Sequence, residues 1–136
     1  MSVRNIVRYQ LPPVLWAIVI FAESSVPGPK IPALPSGSDK VVHAFIYFVF
    51  CGLVYRWLAS RYAGRSMGFE LFLAEVATIL YGLSDEFHQM YVPGRTADIL
   101  DVTADACGGV LFILAILFVA KTRKKNADLE TRRQDL

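Results

Sequence analysis

Four long apolar runs, separated by short polar clusters, set the pattern of this chain. They predict helices at about 8–24, 39–60, 69–92 and 98–120, with a mixed-charge remainder at 121–136. A spanning helix needs about 20 mainly apolar residues. These runs are too long and continuous for barrel strands, and a helix satisfies its own backbone hydrogen bonds in lipid. The first run opens with Pro12 and Pro13, which a first helical turn tolerates because the missing N–H groups would be unpaired there. A secretory signal peptide is the alternative for this run, and Glu23 at its end weighs against it. The third run is long enough only if Glu70 and Glu75 lie near one interface and Asp85 to Gln89 near the other.

Composition agrees with a membrane protein: 54% of the residues are hydrophobic, above the usual globular range. The expected fold class is an all-α membrane protein of four transmembrane helices. A net charge of +2 gives no reason to expect a nucleic-acid partner. Cys51 and Cys107 fall inside apolar runs and read as small hydrophobes rather than a disulfide. Arg4, Arg8, Arg56, Arg61, Arg65, Lys121, Arg123, Lys124, Lys125, Arg132 and Arg133 fall on one side, against Lys30, Lys40 and Arg95 on the other. By the positive-inside rule both termini are expected to be cytoplasmic. The segment 121–136 reads as a solvated or frayed cytoplasmic tail.

With that topology, the polar residues collect toward the outer leaflet. Asp39, His43 and Tyr47 recur every four positions; Tyr81, Asp85 and His88 or Gln89 follow the three-to-four pattern, as do Asp98, Asp101 and Asp105. Each helix thus carries a polar stripe, and stripes of this kind escape lipid by facing one another. Gly108 and Gly109 lie just below the third stripe, where missing side chains permit close helix contact. A purely structural reading pairs these charges with each other, Lys40 or Arg95 with Asp98 for example. The number of carboxylates exceeds what packing four helices requires, which favours an outer-leaflet polar pocket.

The segments "DKVVHAFIYF" and "SDEFHQMYVPGRTADILDVTADACGG" resemble the VanZ-like family of small bacterial membrane proteins. The family pattern is approximately D-K-x-x-H-x-x-x-Y, then D-E-x-x-Q-x-x-x-P-G-R, then D-x-x-x-N/D-x-x-G. Asp39, Lys40, His43, Tyr47, Asp85, Glu86, Gln89, Pro93, Gly94, Arg95, Asp101, Asp105 and Gly108 match it in order. The resemblance covers roughly 39–119 and implies a VanZ-like four-helix domain over 1–120 in a bacterial cytoplasmic membrane. Asp105 stands where many relatives carry Asn. The family's namesake is associated with low-level resistance to teicoplanin, a lipid-tailed glycopeptide, and no settled reaction comes with the fold.

Pro93 and Gly94 suit the central positions of a type II turn, which aims Arg95 back over the bundle mouth. Its planar fork suits a phosphate or carboxylate; a clamp onto Asp98 or Asp85 is the structural alternative. The expected ligand-binding set is Asp39, Lys40, Tyr47, Gln89, Arg95, Asp101 and Asp105, with membrane lipids or a lipid-linked envelope precursor as partners. An intramembrane hydrolase or transferase is the rival function, with His43 and Asp85 or Glu86 as acid and base. No cofactor is expected; a divalent metal on His43, Asp85, Glu86 and His88 is the lesser alternative, because "DEFH" has the spacing used in di-metal bundles but occurs once.

Overall fold

A computed structural model describes residues 3–30, 35, 37–62 and 64–134. Four helices, α1 (Val3–Ser24), α2 (Ser38–Arg61), α3 (Met67–Gln89) and α4 (Ile99–Gln134), are long and apolar enough to cross a membrane. At about 1.5 Å per residue even α1 reaches about 33 Å, enough for a hydrocarbon core of about 30 Å. The surface is apolar, unlike that of a water-soluble bundle, and the interior holds polar groups beside its apolar core. Val14, Ile18, Phe45, Phe72, Leu114 and Phe118 are exposed, whereas Glu70, Thr78, Asp85, Glu86, Gln89 and Asp105 are buried. Lipid accepts the first group, and only the bundle interior accepts the second.

The helix limits differ from the sequence expectation in three places. Helix α1 begins at Val3 rather than near residue 8, and a widened π turn occupies Ile6–Gln10. Pro12 and Pro13 have no N–H to offer the carbonyls of Arg8 and Tyr9, so the helix loosens without breaking. The Leu11 N–H bonds to the Ile6 carbonyl, and the freed Arg8 carbonyl accepts from the Arg56 Nη2 at 2.9 Å. Helix α3 ends at Gln89 rather than 92, where the chain enters the Pro93–Gly94 turn. The Arg95 N–H closes that turn on the Val92 carbonyl at 3.1 Å, and Gly94 takes a φ of 73°, as position i+2 of a type II turn requires.

The third difference concerns 121–136, read as a solvated or frayed end, which is exposed as far as Arg133 but helical as far as Gln134. Helix α4 continues to Gln134, with residues 117–133 all exposed. "KTRKKNADLETRRQ" contains no Gly or Pro, and its three Lys and three Arg, with Ala, Leu, Glu and Gln, are good helix formers, so the turn geometry propagates beyond the apolar segment.

Packing centres on Ile20, Tyr47, Phe50, Cys51, Val54, Leu58 and Ala74. Helix α1 joins through Trp16, whose Nε1 donates to the Ile46 carbonyl at 3.0 Å, and Tyr81, whose hydroxyl donates to the Ala17 carbonyl at 2.7 Å. Cys51 is buried and Cys107 exposed, and both are free thiols. The closest helix contacts are made at glycines: a Cβ on Gly108 would run into the Ala44 carbonyl of α2, and one on Gly109 into the Glu75 carboxylate of α3. We predict that Gly108→Ala lowers the melting temperature in detergent, at an overpacking cost of about 1–3 kcal/mol. Gly68→Ala, at a position with open space around it, serves as the control and should not lower it.

Candidate functional site

The first turns of α2, the last turns of α3 and the first turns of α4 meet at one end of the bundle. Asp98 sets the start of α4, accepting the Leu100 N–H on its Oδ1 at 2.9 Å. Its other oxygen accepts from the Lys40 Nζ at 2.7 Å, and the same ammonium reaches the Asp101 Oδ1 at 2.5 Å and the Asp39 Oδ2 at 3.1 Å. One lysine on α2 therefore holds the N-terminus of α4 through two of its carboxylates. The ammonium, with help from the Leu100 N–H, holds the Asp98 carboxyl below the usual carboxylate range.

One turn deeper the network becomes more buried. The His43 Nδ1 lies 2.9 Å from the Asp105 Oδ1, and Asp105 is wholly buried. The Glu86 Oε2 accepts the Asp98 backbone N–H at 2.7 Å. Gln89 Nε2 bridges the Glu86 and Asp85 carboxylates at 3.3 Å each. Ligand atoms of His43, Glu86 and Asp101 all lie within 4.8 Å of one another. Tyr47 stacks nearly parallel to His43 with ring centroids 6.4 Å apart, and its buried hydroxyl has no hydrogen-bond partner among the described residues; neither does the Asp105 Oδ2.

A cavity of about 430 Å³ opens beside this network. His43, Tyr47, Asp85, Gln89 and Asp39 line its polar side, Ile20, Val42 and Ile46 its apolar side, and Lys30 and Arg95 are among its remaining lining residues. The loops that roof it are joined backbone to backbone. The Gly28 N–H donates to the Pro93 carbonyl at 3.1 Å, and a side chain on Gly28 would collide with the Gly94 carbonyl.

Three expectations need correction. Arg95 clamps neither Asp98 nor Asp85: its Nε donates to the Val26 carbonyl at 3.2 Å and its Nη2 to the Glu23 carbonyl at 3.3 Å, so it caps the exit of α1. Two of the five guanidinium N–H groups serve this role. His88 is not part of the metal-type cluster, because it faces α1, 3.0 Å from the Ser25 Oγ and with its ring tilted against Phe21 at 4.5 Å. His43 bonds directly to Asp105, and a Glu86 oxygen stays within 4.8 Å of the His43 ring across the same cluster. Glu75 was placed near an interface by sequence. It lies instead within a turn of the middle of α3, against Gly109 and 3.9 Å from the Cys51 Sγ. Its place on the stripe Leu71, Thr78, Gly82, Asp85 was the available sign.

Removal of Lys40 tests the clasp between α2 and α4. Lys40→Met leaves Asp98 and Asp101 facing each other without a cation, in side chains 40% and 14% exposed. The expected destabilisation lies between the roughly 1 kcal/mol of an exposed pair and the roughly 3–5 kcal/mol of a buried one. Lys40→Met with Asp101→Asn should recover part of it in thermal melts. Because the Asp98 carboxyl is depressed, its contribution is complete above the ordinary aspartate range and is lost as pH falls through the depressed value. Acid-limb melts of Asp98→Asn should therefore be flatter than those of the parent.

Comparison with known proteins places this geometry. Residues 3–120 match the VanZ/LLP1 family. The uncharacterized protein C11E3.10 of the fission yeast Schizosaccharomyces pombe is 31% identical over 100 residues, which cover 73% of this chain and 59% of that protein. The chain thus matches about three fifths of the length of this curated relative. No solved structure matches it. With thirteen residues of the D-K-x-x-H and D-E-x-x-Q patterns in order, twelve of them gathered around one polar network and its roof, and a family match over the whole bundle, the chain belongs to the VanZ-like family.

Proposed function

We propose that this protein binds the anionic head group of an envelope lipid, or an amphiphile that competes for it, in the cavity beside the His43 network. The observation that carries the reading is the composition of that cavity. Lys30 and Arg95 form no ion pair with a carboxylate among the described residues, and they share the cavity with the apolar side chains of Ile20, Val42 and Ile46. An anionic group beside the two cations and the first tail atoms against the apolar wall would match an amphiphile, and the volume suits a head group. Arg95 keeps unused N–H donors for a phosphate while it caps α1.

The excess of Lys and Arg at the opposite end of the bundle supports cytoplasmic termini and a cavity in the outer leaflet. Family membership supports a bacterial cytoplasmic membrane, and an effect on glycopeptide susceptibility, teicoplanin included, would follow from competition for the head group. Native mass spectrometry of the detergent-purified protein with phosphatidylglycerol and phosphatidylcholine tests the reading. The parent should prefer phosphatidylglycerol, and Lys30→Gln, which breaks no bond seen in the fold, should weaken that preference by roughly tenfold, as loss of one charge-assisted contact implies. Equal retention of both lipids by the parent, or undiminished preference in both Lys30→Gln and Arg95→Gln, would sink it.

The pairing of His43 with a wholly buried carboxylate favours a second reading, an intramembrane hydrolase or transferase. Asp105 orients the imidazole at Nδ1 and leaves the other ring nitrogen for general acid–base work, with Asp85 and Glu86 nearby. Catalysis predicts a change in mass of a lipid-linked substrate over time that His43→Gln abolishes. Unaltered lipid in the parent would remove this reading and leave simple binding.

A further inference from the structure

We infer that His43, Glu86 and Asp101 form a binding site for one divalent first-row cation, with Asp105 as the positioning residue behind His43. The three side chains come from three different helices, yet each offers a ligand atom within 4.8 Å of the other two. One imidazole and two carboxylates make a mixed nitrogen and oxygen set that suits Mn2+ or Zn2+. Metal-bound histidine commonly gives its second ring nitrogen to a carboxylate, which fixes the tautomer and raises ligand basicity. The Asp105 Oδ1, at 2.9 Å from the His43 Nδ1, occupies that place.

Charge supplies a separate argument. Lys40 reaches Asp39, Asp98 and Asp101, all on the outer side of the network. Asp85, Glu86 and Asp105 are buried within helices that cross the membrane, and none of them pairs with a lysine or arginine among the described residues. Uncompensated carboxylates are costly at such depth. The His43–Glu86–Asp101 triangle lies where the lysine-compensated and uncompensated halves meet, so one divalent ion there would serve both.

One orphaned atom points to a ligand independently of the triangle. Tyr47, 1% exposed, lines the same cavity as His43, and its hydroxyl has no partner among the described residues. The Asp105 Oδ2, also without one among them, packs against Gly82 of α3. Buried polar atoms are rarely left unpaired. Water on a bound ion would give the Tyr47 hydroxyl a partner, and three protein ligands leave coordination positions for it. Glu86 and Asp101 already accept one or more hydrogen bonds each, and a carboxylate retains lone pairs beyond these.

Mn2+ alone is the probe, added to tag-free, chelator-washed full-length protein in detergent. Loss of the free-ion electron paramagnetic resonance signal should saturate at one Mn2+ per chain. Spin-echo modulation from one imidazole nitrogen should accompany it, and since the chain has only 2 histidines the assignment is direct. His88→Gln should leave affinity and modulation intact, whereas His43→Gln should abolish the modulation. Glu86→Gln and Asp101→Asn should weaken binding by at least about tenfold, and Asp105→Asn by about 10–100-fold with the nitrogen modulation retained. The inference is overturned if binding fails to saturate, if bound Mn2+ in the parent shows no nitrogen modulation, or if the modulation follows His88. The parent and His88→Gln decide the matter even where a ligand variant fails to fold. The result is independent of lipid binding, because no lipid enters the assay.

Discussion

A carboxylate carried on a membrane-spanning helix has no water to stabilise it, and this constraint organises one whole end of the protein. Lys40 answers it for Asp39, Asp98 and Asp101, and in doing so fixes how α4 begins relative to α2. Asp98 adds to this by using one oxygen for Lys40 and the other for the Leu100 N–H, while its own backbone N–H goes to Glu86 of α3. Three helices are therefore tied through a single turn of chain. The cooperative character of the arrangement follows from sharing: no member can leave without taking a partner from a second charged group.

Immediately beneath this network the helices are held by different physics. Below the network, contact depends on the absence of side chains, with Gly108 against the Ala44 carbonyl and Gly82 against Asp105. Small residues of this kind let helix backbones approach where lipid offers no hydrophobic drive for association. The same close approach carries α4 toward α2 and α3, so that Asp105 comes within hydrogen-bonding distance of His43. Glycine packing and the polar network are consequently two parts of one design: the glycines set the interhelical distance at which the charged groups can meet.

The sequence made the four spans legible, because apolar length and helical spacing are local properties. It also showed which residues share a stripe, since that depends only on the 3.6-residue repeat. Partners were less accessible. Asp105 rather than Asp85 meets His43 because the relative rotation of α2 and α4 is set by tertiary contact, which spacing along one helix does not contain. Arg95 reaches the carbonyls of Glu23 and Val26 because the two roof loops pack at Gly28 and Gly94, a contact between residues far apart in sequence. His88 lies one position from Gln89, yet a rotation of about 100° per residue turns it to α1. The long exposed end of α4 was less legible for another reason: high polarity suggests fraying, while most of the residues present favour helix individually.

The charge inventory of the site bears on what it can hold. An anionic head group brought directly against Glu23, Asp39 or Asp85, the carboxylates that line the cavity, would meet repulsion in a medium that screens little. Lys30 and Arg95 provide attraction in the same cavity. Anion binding and these carboxylates are compatible if the anion stays beside the two cations, or if a divalent ion lies between the anion and the carboxylates. In the first arrangement Lys30 and Arg95 alone set affinity. In the second, the anion completes the coordination of the ion, and affinity for each depends on the other by the same factor. The buried carboxylates would then be part of anion recognition, with the metal inverting the sign of the field that they present.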